Sequence, residues 1–498
     1  MNVNPITRLD YPDPDVIRVE DTYYMVSTTM HFMPGCEILQ SFDLVHWEHV
    51  TYIYETLDHT DAQQLKSGQN IYGQGMWAAS LRYHEGRFYI CFVANDTRKT
   101  YLYTSEKIDG PWKKQLIEGF YHDGSLLFDE DGRNYIVYGN DEIWITELNE
   151  DLTAPKKDGL HRLLVSDHKN PELGYEGSHI QKINGYYYIF LVHSLRDRWM
   201  RTEACFYSDS LEGEFTGGDV LCDDRGYCGQ GVAQGGIVDT PDGKWYAMLF
   251  QDSGAVGRIP ILIPVTWKDH FPVFGQNGHV PEEIEVHSTR PGYIYQPLVG
   301  SDDFCNGLLP RWQFNHDPDP RYYHLDALQG TYTITTREVC TELTQAVNTL
   351  TQRMSYPSCA AEVTVDASAL KEGDVAGLCA LQGCYAAVGI TKHHGKYEVL
   401  MLDKKEDGIL DMTERTVVES HQMDFRLEAD FCNMKDEARC YYRVNKGDWL
   451  PIGTVHKLYF KLDHFTGCRF GLFCYAAEET GGSACFRDFK YYDVDEIS

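Results

Sequence analysis

Three acidic residues recur at matched places in the first half of the chain and could share one reaction. Each precedes a strand rich in aromatic residues, and its distance is counted back from one tyrosine of that strand. Twelve residues before Tyr89, Tyr135, Tyr188 and Tyr246, and eleven before Tyr24, stand in turn Trp77, Asp123, Glu176, Gln234 and Asp13. If the strands are equivalent parts of a repeat, these side chains meet in one pocket.

Opposed carboxylates in one pocket are suited to the hydrolysis of a glycosidic bond. One carboxylate activates a water molecule, and a second, protonated one gives its proton to the departing oxygen. A third charged neighbour can raise the pKa of that acid and fix its orientation. Trp77 offers a flat apolar face for a sugar ring. A purely structural role for all three acids is disfavoured, because unpaired buried charges are costly.

The strands that would position these residues repeat along the first part of the chain. Each combines a turn signal with an aromatic strand, as in Asn184-Gly185 before Tyr186–Phe190. The aligned tyrosines at 24, 89, 135, 188 and 246 are 65, 46, 53 and 58 residues apart. Periods of this size, each with a hairpin signal, are typical of β-propeller blades. The sequence therefore predicts a five-bladed β-propeller catalytic domain over residues 1–280.

The remainder of the chain predicts a second domain. Residues 281–301 contain several Pro and Gly and lack periodicity, which indicates a linker. From 302 to 498, alternating strands such as Ala361–Val365 and Tyr397–Met401 recur with almost no helical periodicity. That pattern is typical of a β-sandwich. The predicted fold class is therefore all-β, a propeller followed by a sandwich.

Composition limits the partners of the chain. Its 498 residues include 44 Lys and Arg against 75 Asp and Glu, a formal charge of −31. Such a surface repels nucleic acid and anionic membrane, so a neutral oligosaccharide is the simplest partner. The 15 cysteines include no CxxC pair, and neither a leader nor a membrane-length apolar segment is found. These features predict free thiols and a cytoplasmic location. A homo-oligomer is compatible with the sequence.

Several motifs of the predicted propeller resemble those of glycoside hydrolase family 43. They are Tyr11-Pro12-Asp13-Pro14-Asp15, Phe32-Met33-Pro34-Gly35, Met76-Trp77-Ala78-Ala79, His122-Asp123-Gly124-Ser125 and Tyr175-Glu176-Gly177-Ser178-His179. The resemblance implies a five-bladed propeller in which Asp13 is the general base and Glu176 the general acid. It implies that Asp123 is the third carboxylate, which tunes and orients Glu176. Because that family inverts anomeric configuration, Asp13 and Glu176 are expected roughly 6.5–9.5 Å apart, with room for a water.

The same resemblance implies further contacts with substrate. Arg258 stands where the family places a sugar-binding arginine, and Phe32 and Trp77 belong to motifs implied to contact the sugar. The C-terminal half resembles the concanavalin-like sandwich of the family's β-xylosidase branch, in which a Phe closes the pocket rim, and Phe465 is the candidate. Many members carry His where this chain has Gln234, and that His helps to hold a central cation or water. No cofactor is required, although the amide oxygen of Gln234 could bind Ca²⁺ at the propeller axis.

Together these expectations describe an exo-acting, inverting glycosidase. It would release terminal α-L-arabinofuranosyl or β-D-xylosyl residues from plant cell-wall oligosaccharides of the arabinoxylan type. An arabinan- or galactan-directed exo-enzyme is the alternative within this class, and a carbohydrate-binding protein whose catalysis has decayed is the alternative outside it. His122 and His179, which flank the motifs, are interpreted as hydrogen-bonded structural residues.

Overall fold

Strands make up nearly all of the regular structure. The computed structural model describes residues 3–461 and 465–493. In these residues the helices are single 3-10 turns, at Lys66–Gly68, Gly254–Val256, Leu343–Gln345 and Cys432–Met434. None of them has the length or apolar character needed to cross a membrane. The predicted all-β fold class is confirmed.

Five four-stranded antiparallel sheets form the blades of a propeller. The first stretch of chain holds five strands, of which all but β3 form blade 1: β1 (Asp15–Val19), β2 (Thr22–Ser27), β3 (Phe32–Met33), β4 (Gly35–Ser41) and β5 (Glu48–Tyr54). Blades 2 and 3 contain β6 (Met76–His84), β7 (Arg87–Ala94), β8 (Lys99–Ser105), β9 (Lys113–Ile117), β10 (Ser125–Phe128), β11 (Asn134–Asn140), β12 (Glu142–Leu148) and β13 (His161–Ser166). Blades 4 and 5 contain β14 (Glu176–Ile183), β15 (Tyr186–Ser194), β16 (Arg201–Ser208), β17 (Thr216–Leu221), β18 (Val232–Asp239), β19 (Trp245–Asp252), β20 (Arg258–Lys268) and β21 (Phe271–Phe274).

The turn between β14 and β15 shows how local sequence sets the repeat. Asn184 and Gly185 both have left-handed backbones, with φ of 50° and 85°. Two-residue turns of this kind favour Asn-Gly, because both central residues need a positive φ. On either side Ile183 pairs with Tyr186, which fixes the register of the aromatic strand. That strand then packs between blades.

Apolar clusters between neighbouring blades close the ring. Each of five clusters joins buried side chains of two adjacent blades, in the pairs 1–2, 2–3, 3–4, 4–5 and 5–1. The N-terminal segment completes the last contact. There the Ile6 N–H donates to Pro260 O and the Tyr11 N–H donates to Arg258 O, both at 2.9 Å. The predicted five-bladed propeller is confirmed.

The C-terminal half is a sandwich of two antiparallel sheets. Its strands are β22 (Gln313–Asn315), β23 (Tyr323–Asp326), β24 (Thr331–Thr335), β25 (Leu350–Arg353), β26 (Ser358–Asp366), β27 (Val375–Leu381), β28 (Ala386–His393), β29 (Lys396–Lys404), β30 (Leu410–Val418), β31 (Gln422–Asp430), β32 (Glu437–Val444), β33 (Leu450–Lys457), β34 (Arg469–Tyr475) and β35 (Ser483–Asp493). One sheet has eight strands in the order β3-β22-β25-β34-β27-β28-β29-β30, and the other has seven in the order β23-β24-β35-β26-β31-β32-β33. Alternate residues, such as Val363 and Val365 on β26, fill the core between the sheets. The predicted sandwich is confirmed.

Three features join the propeller to the sandwich. Strand β3 lies between two strands of blade 1 in the chain, yet it pairs with β22 of the sandwich. The turn Gly254–Val256 of blade 5 packs into the sandwich core. A buried ion pair joins Arg353 Nη1 to Glu37 Oε2 at 2.8 Å. The sandwich therefore packs directly against the part of the propeller from which β20 starts.

Between β21 and β22, residues 275–312 form no strand in the described chain. The predicted domain boundaries at 280 and 302 both fall in this segment. Tyr293 and Tyr295 pack against Phe42 of blade 1. Arg290 Nε donates to Asp21 Oδ2 at 2.8 Å. The stretch interpreted as a linker is thus fixed to the surface of blade 1.

Candidate active site

The five blades place equivalent residues at the start of their inner strands. Pairing with the second strand of each blade sets the register, through Asp15↔Val26, Ser80↔Cys91, Ser125↔Val137, His179↔Phe190 and Gly236↔Met248. Two residues before these inner-strand partners lie Asp13, Ala78, Asp123, Gly177 and Gln234, and Trp77 stands one residue before Ala78. All five of these equivalent residues except Ala78 have a left-handed φ, of 52°, 48°, 66° and 65°. The same backbone kink therefore recurs in four blades.

These strand starts surround a cavity of about 220 Å³ at the propeller axis. Seven of the eight residues predicted for the site line it: Asp13, Trp77, Asp123, Glu176, Gln234, Arg258 and Phe465. Pockets for drug-sized ligands hold roughly 300–1,000 Å³. The cavity is smaller than these, and it suits a single sugar ring.

Glu176 reaches the cavity from a position one residue earlier than the other two acids. It pairs with Val192, and His179 pairs with Phe190, so that two residues of β14 face only one residue of β15 between these pairs. This is a β-bulge, in which an extra residue bends the strand and re-aims side chains. By register Glu176 corresponds to His122. The expectation that all three acids occupy equivalent positions is corrected accordingly.

Gly177→Ala is expected to damage both the fold and the site. Gly177 has a φ of 66°, and a Cβ added there would lie 2.7 Å from Gln234 Cγ. Its N–H donates to Asp123 Oδ2 at 3.0 Å. We expect a loss of about 1–2 kcal/mol in stability from the left-handed backbone, and a lower kcat because Asp123 and Gln234 must move. Thermal unfolding and turnover are the measurements.

Gly185→Ala is the matched control for this variant. Gly185 has a φ of 85° and open space around it, so the added methyl group brings backbone strain without a clash. It lies in the hairpin turn after β14, away from the lining residues. Equal losses of kcat in the two variants would contradict a specific role for Gly177 in the site.

Asp13 is held by two donors. Arg258 Nη1 donates to Asp13 Oδ1 at 2.7 Å, and Thr28 Oγ1 donates to Oδ2 at 2.6 Å. Asp252 holds the arginine in turn, since Arg258 Nε donates to Asp252 Oδ1 at 3.3 Å and Arg201 Nη1 donates to Oδ2 at 3.2 Å. All five side chains are buried. The Asp13 carboxylate therefore has a fixed orientation at the cavity wall.

Glu176, Asp123 and His122 form a second group in the wall. His122 Nε2 lies 3.5 Å from Asp123 Oδ2 and 3.6 Å from Glu176 Oε2. Asn140 Nδ2 donates to the same Glu176 oxygen at 2.7 Å. Asp123 also accepts the Gly177 N–H. Asp123 is thereby tied to the residue next to Glu176, which allows it to orient that side chain.

Charges in this second group shift the three pKa values in different directions. Burial, helped by the charge of Glu176, raises the pKa of Asp123 to about 6. Burial alone would raise the pKa of Glu176, but the N–H and charge of the nearby His122 and the charges of Arg201 and Arg258 lower it. Burial alone would lower the pKa of His122, but the two carboxylates raise it to about 9. The raised pKa of His122 and the lowered pKa of Glu176 both favour an imidazolium beside a carboxylate. The raised pKa expected for Glu176 is not found in this arrangement.

Two residues further along the inner strand of blade 1, Asp15 forms ion pairs with residues of two other blades. Asp15 Oδ2 accepts from Arg82 at 2.8 Å, and Oδ1 lies 3.1 Å from His179 Nδ1. Burial alone would raise the pKa of Asp15, but these two partners lower it to about 2. The N–H of Gln234 donates to Glu203, and burial raises the pKa of Glu203 well above its usual range. Ca²⁺ prefers several anionic oxygens, whereas these residues offer a cation and a neutral acid. They do not fit the Ca²⁺ that Gln234 was expected to be able to bind.

Trp77 and Phe465 form the aromatic part of the wall. Their rings meet edge to face with centroids 5.2 Å apart. The Phe465 ring centroid also lies 4.2 Å from the guanidinium carbon of Arg258. Phe465 belongs to the sandwich half of the chain, and only 5% of its surface is exposed. The sandwich thus supplies one wall of the cavity.

Phe32, which was predicted to contact the substrate, does not line the cavity. It lies on β3 and pairs with Asn315 of the sandwich. Its ring centroid lies 3.4 Å from the guanidinium carbon of Arg469, and only 1% of the residue is exposed. The sheet that joins the two domains therefore covers Phe32.

Sequence reasoning missed several residues of the wall. They are His122, Asn140, Leu173, Trp199 and Arg201. His122 lines the cavity instead of only supporting its strand, and its place next to Asp123 was the signal that could have found it. Asn140 ends β11 and Arg201 begins β16, so both stand outside the repeat position that located the acids. His179 is the structural residue that was expected, since it pairs with Asp15.

The fold and the site together define a glycoside hydrolase, with opposed carboxylic acids around a sugar-sized cavity. Comparison with known families is consistent with this class. The family named Glycosyl hydrolases family 43 matches residues 3–272, and the Beta xylosidase C-terminal Concanavalin A-like domain matches residues 301–492. The chain belongs to glycosyl hydrolase family 43.

Individual relatives match over most of the chain. A beta-xylosidase of Formosa agariphila is 27% identical over 99% of this chain and 89% of its own length. A xylosidase/arabinosidase of Butyrivibrio fibrisolvens is 24% identical over 99% of both chains. The solved structure of a bifunctional GH43-CE protein of Bacteroides eggerthii is 42% identical over 98% of this chain, with a TM-score of 0.92. This chain spans 63% of that protein's length.

Proposed function

We propose that the chain is an exo-acting, inverting glycosidase that releases terminal α-L-arabinofuranosyl or β-D-xylosyl residues from arabinoxylan-type oligosaccharides. The observation that carries this proposal is a cavity of about 220 Å³ that both Asp13 and Glu176 line. Such a cavity has room for one terminal sugar and not for the middle of a polymer. The beta-xylosidase and the xylosidase/arabinosidase among the relatives support a pentose as that sugar.

Asp13 acts as the general base in this proposal. Its carboxylate takes a proton from a water molecule while the water oxygen attacks the anomeric carbon. Arg258 and Thr28 hold the carboxylate in the orientation that this transfer needs. Attack by water on the face opposite the leaving group inverts the configuration of the anomeric carbon.

Glu176 acts as the general acid. It gives a proton to the glycosidic oxygen as the bond from that oxygen to the anomeric carbon breaks, so the leaving sugar departs as an alcohol. Asp123 and Asn140 hold Glu176 in place, the first through the N–H of Gly177 and the second directly. One proton is gained by Asp13 and one is lost by Glu176, so the protons balance over a turnover.

Nitrophenyl glycosides test the substrate class. We expect release from the β-D-xyloside and the α-L-arabinofuranoside, and release from the β-D-galactoside at least about tenfold slower, because its extra hydroxymethyl group must fit the same small cavity. The double variant Asp13→Asn, Glu176→Gln, purified in the same way, controls for contaminating glycosidases. Release of galactose alone would favour the galactan-directed alternative. No release from the xyloside or the arabinofuranoside would reject the proposal.

A carbohydrate-binding protein that has lost catalysis is the alternative from another class. All three acids of the predicted set line the cavity, and two of them have fixed hydrogen-bond partners that orient them. No contact in the described site favours a loss of turnover. Sugar binding without any hydrolysis by the wild-type protein would support this alternative instead.

The cytoplasmic location stays a prediction. Cys222, Cys228, Cys305 and Cys432 are exposed thiols without a disulfide partner. Exposed thiols of this kind suit a reducing compartment. Fractionation of the source cells tests this prediction. Detection of the protein in the secreted fraction would contradict it.

A further inference from the structure

His122 occupies a place in the site that the reaction described above does not use. Its Nε2 lies 3.5 Å from Asp123 Oδ2 and 3.6 Å from Glu176 Oε2, and within the described residues this nitrogen has no partner at hydrogen-bond distance. The imidazole is on the cavity wall, edge to face with Trp77, and 18% of its side chain is exposed. A shift of about 0.5 Å would bring Nε2 within hydrogen-bond distance of either carboxylate.

We propose that His122 stores the proton that Glu176 gives to the departing oxygen. The inference rests on the proposed function, since it concerns the leaving-group side of the same reaction. His122 acts through Glu176 and is therefore a positioning residue. Asp123, whose Oδ2 lies 3.5 Å from the same Nε2, holds the imidazolium in place while it is loaded.

The stored proton moves in two steps. First the imidazolium passes its Nε2 proton to the Glu176 carboxylate, so that an N–H bond breaks, an O–H bond forms and an ion pair becomes a neutral pair. Then Glu176 passes this proton to the glycosidic oxygen as the bond from that oxygen to the anomeric carbon breaks. Asp13 gains a proton from water in the same turnover. Before the next cycle, Asp13 loses that proton to solvent and His122 takes one up.

A bound sugar provides the reason for the first step. The side chains of His122 and Glu176 are 18% and 21% exposed, and a sugar in the cavity removes their contact with water. Loss of water penalises an ion pair more than the corresponding neutral pair. Arg201 and Arg258 favour the charged form of Glu176. Asp252 holds both arginines, which limits their approach to Glu176 when the sugar enters.

The charged groups that face His122 set the pH at which its imidazolium loses the stored proton. Burial alone would lower the pKa of His122, but the neighbouring Asp123, Glu176 on β14 and Asp13 ahead of β1 raise it to about 9. The other close neighbour, Trp77, carries no charge. The store is therefore loaded below about pH 9 and empties as the pH rises through that value. The alkaline limb of the pH profile of kcat/KM should follow the pKa of His122, because kcat/KM reports on groups of the free enzyme.

His122→Gln separates proton storage from support of the strand, since an amide can donate hydrogen bonds but has no dissociable proton. We expect kcat for xylobiose to fall roughly 10²-fold. The fall should be at least about tenfold smaller for dinitrophenyl xyloside, whose leaving group needs no proton. The alkaline limb of kcat/KM should move down from about pH 9 by more than about one unit. Equal losses on both substrates with an unmoved limb would overturn the proposal.

Asn140→Ala is the matched control for His122→Gln. Asn140 contacts the same Glu176 oxygen at 2.7 Å, but it carries no dissociable proton. Its loss should lower kcat through poorer orientation of Glu176 and leave the alkaline limb where it is in the wild type. A limb that moves as far in Asn140→Ala as in His122→Gln would show that orientation alone sets it, which would also overturn the proposal.

Histidine titration by NMR tests the store without any turnover. In the wild type we expect one imidazole to titrate near pH 9, and its pKa should fall in both Glu176→Gln and Asp123→Asn, because each variant removes a neighbouring negative charge. A wild-type protein in which every imidazole titrates near the ordinary value would overturn the proposal. This measurement needs neither a folded His122 variant nor a substrate. If the protein hydrolyses no pentoside, the proposed function fails, and the titration still reports separately on His122.

Discussion

Asp13→Asn is expected to lower kcat by roughly 10²–10⁴-fold on xylosides and arabinofuranosides alike, because the amide cannot accept a proton from the attacking water. The amide oxygen can still accept from Arg258 and the amide nitrogen can donate to Thr28, the two present partners of Asp13. We therefore expect the fold and KM to change little. Steady-state kinetics with nitrophenyl xyloside measure the loss.

Azide gives this variant a second readout. A small anion needs no base, so azide should restore turnover of Asp13→Asn and give a glycosyl azide of inverted configuration. Thr28→Val is the matched control, since it removes one hydrogen bond to Asp13 and leaves the carboxylate. It should lose roughly tenfold or less and should not respond to azide. Activity of Asp13→Asn within tenfold of the wild type would remove Asp13 from the role of base.

Glu176→Gln is expected to show a loss that depends on the leaving group. For xylobiose, kcat should fall by roughly 10²–10⁴-fold, because the departing sugar can no longer receive a proton. For dinitrophenyl xyloside the loss should be far smaller, because that leaving group is stable as an anion. Sugar binding should stay largely intact, since Gln can still accept from Asn140. Kinetics over a series of aryl xylosides measure this dependence.

The control for Glu176→Gln is Glu172→Gln, four residues earlier in the chain. Glu172 is exposed and is not among the lining residues of the cavity, so loss of its charge should not alter the kinetics. The alkaline limb of kcat/KM should disappear in Glu176→Gln, where no carboxyl group remains to pass a proton to the leaving oxygen. A uniform loss across all leaving groups would show that Glu176 supports the structure and does not protonate the leaving oxygen.

Much of the fold could be predicted because its signals are local. The turn at Asn184-Gly185 needs two positive φ values, and few residue pairs supply them as readily. The same turn and aromatic strand recur, so counting repeats was enough to predict five blades. Counting back from the aligned tyrosines, by eleven residues for Asp13 and twelve for Asp123, located two acids that stand at equivalent positions in their blades.

Glu176 was located by a count that does not match its structural register. Blade 4 joins its first two strands through the two-residue turn Asn184-Gly185, whereas blade 3 uses the five residues 129–133. A count of twelve from the tyrosine therefore ends one residue earlier in blade 4 than in blade 3. Asn140 and Arg201 enter the cavity from strand ends whose approach depends on how neighbouring blades pack. Neither residue stands at a position that the sequence repeat marks.

Contacts between the two domains could not be read from the sequence either. Phe32 belongs to a motif of the propeller, yet β3 pairs with the sandwich and Arg469 covers the ring. Long-range pairing of this kind is set by the meeting of two folded surfaces. The pairing of Asp15, Arg82 and His179 across the axis, from three different blades, could not be predicted for a similar reason, and it leaves Ca²⁺ at Gln234 without support.

The configuration of the sugar released from xylobiose tests the proposed reaction most directly. Proton NMR during the first minutes of hydrolysis distinguishes the two anomers before mutarotation mixes them. A base and an acid that act across one terminal sugar should release xylose first as the α anomer. Appearance of the β anomer first, or no release of xylose, would contradict the account of Asp13 and Glu176.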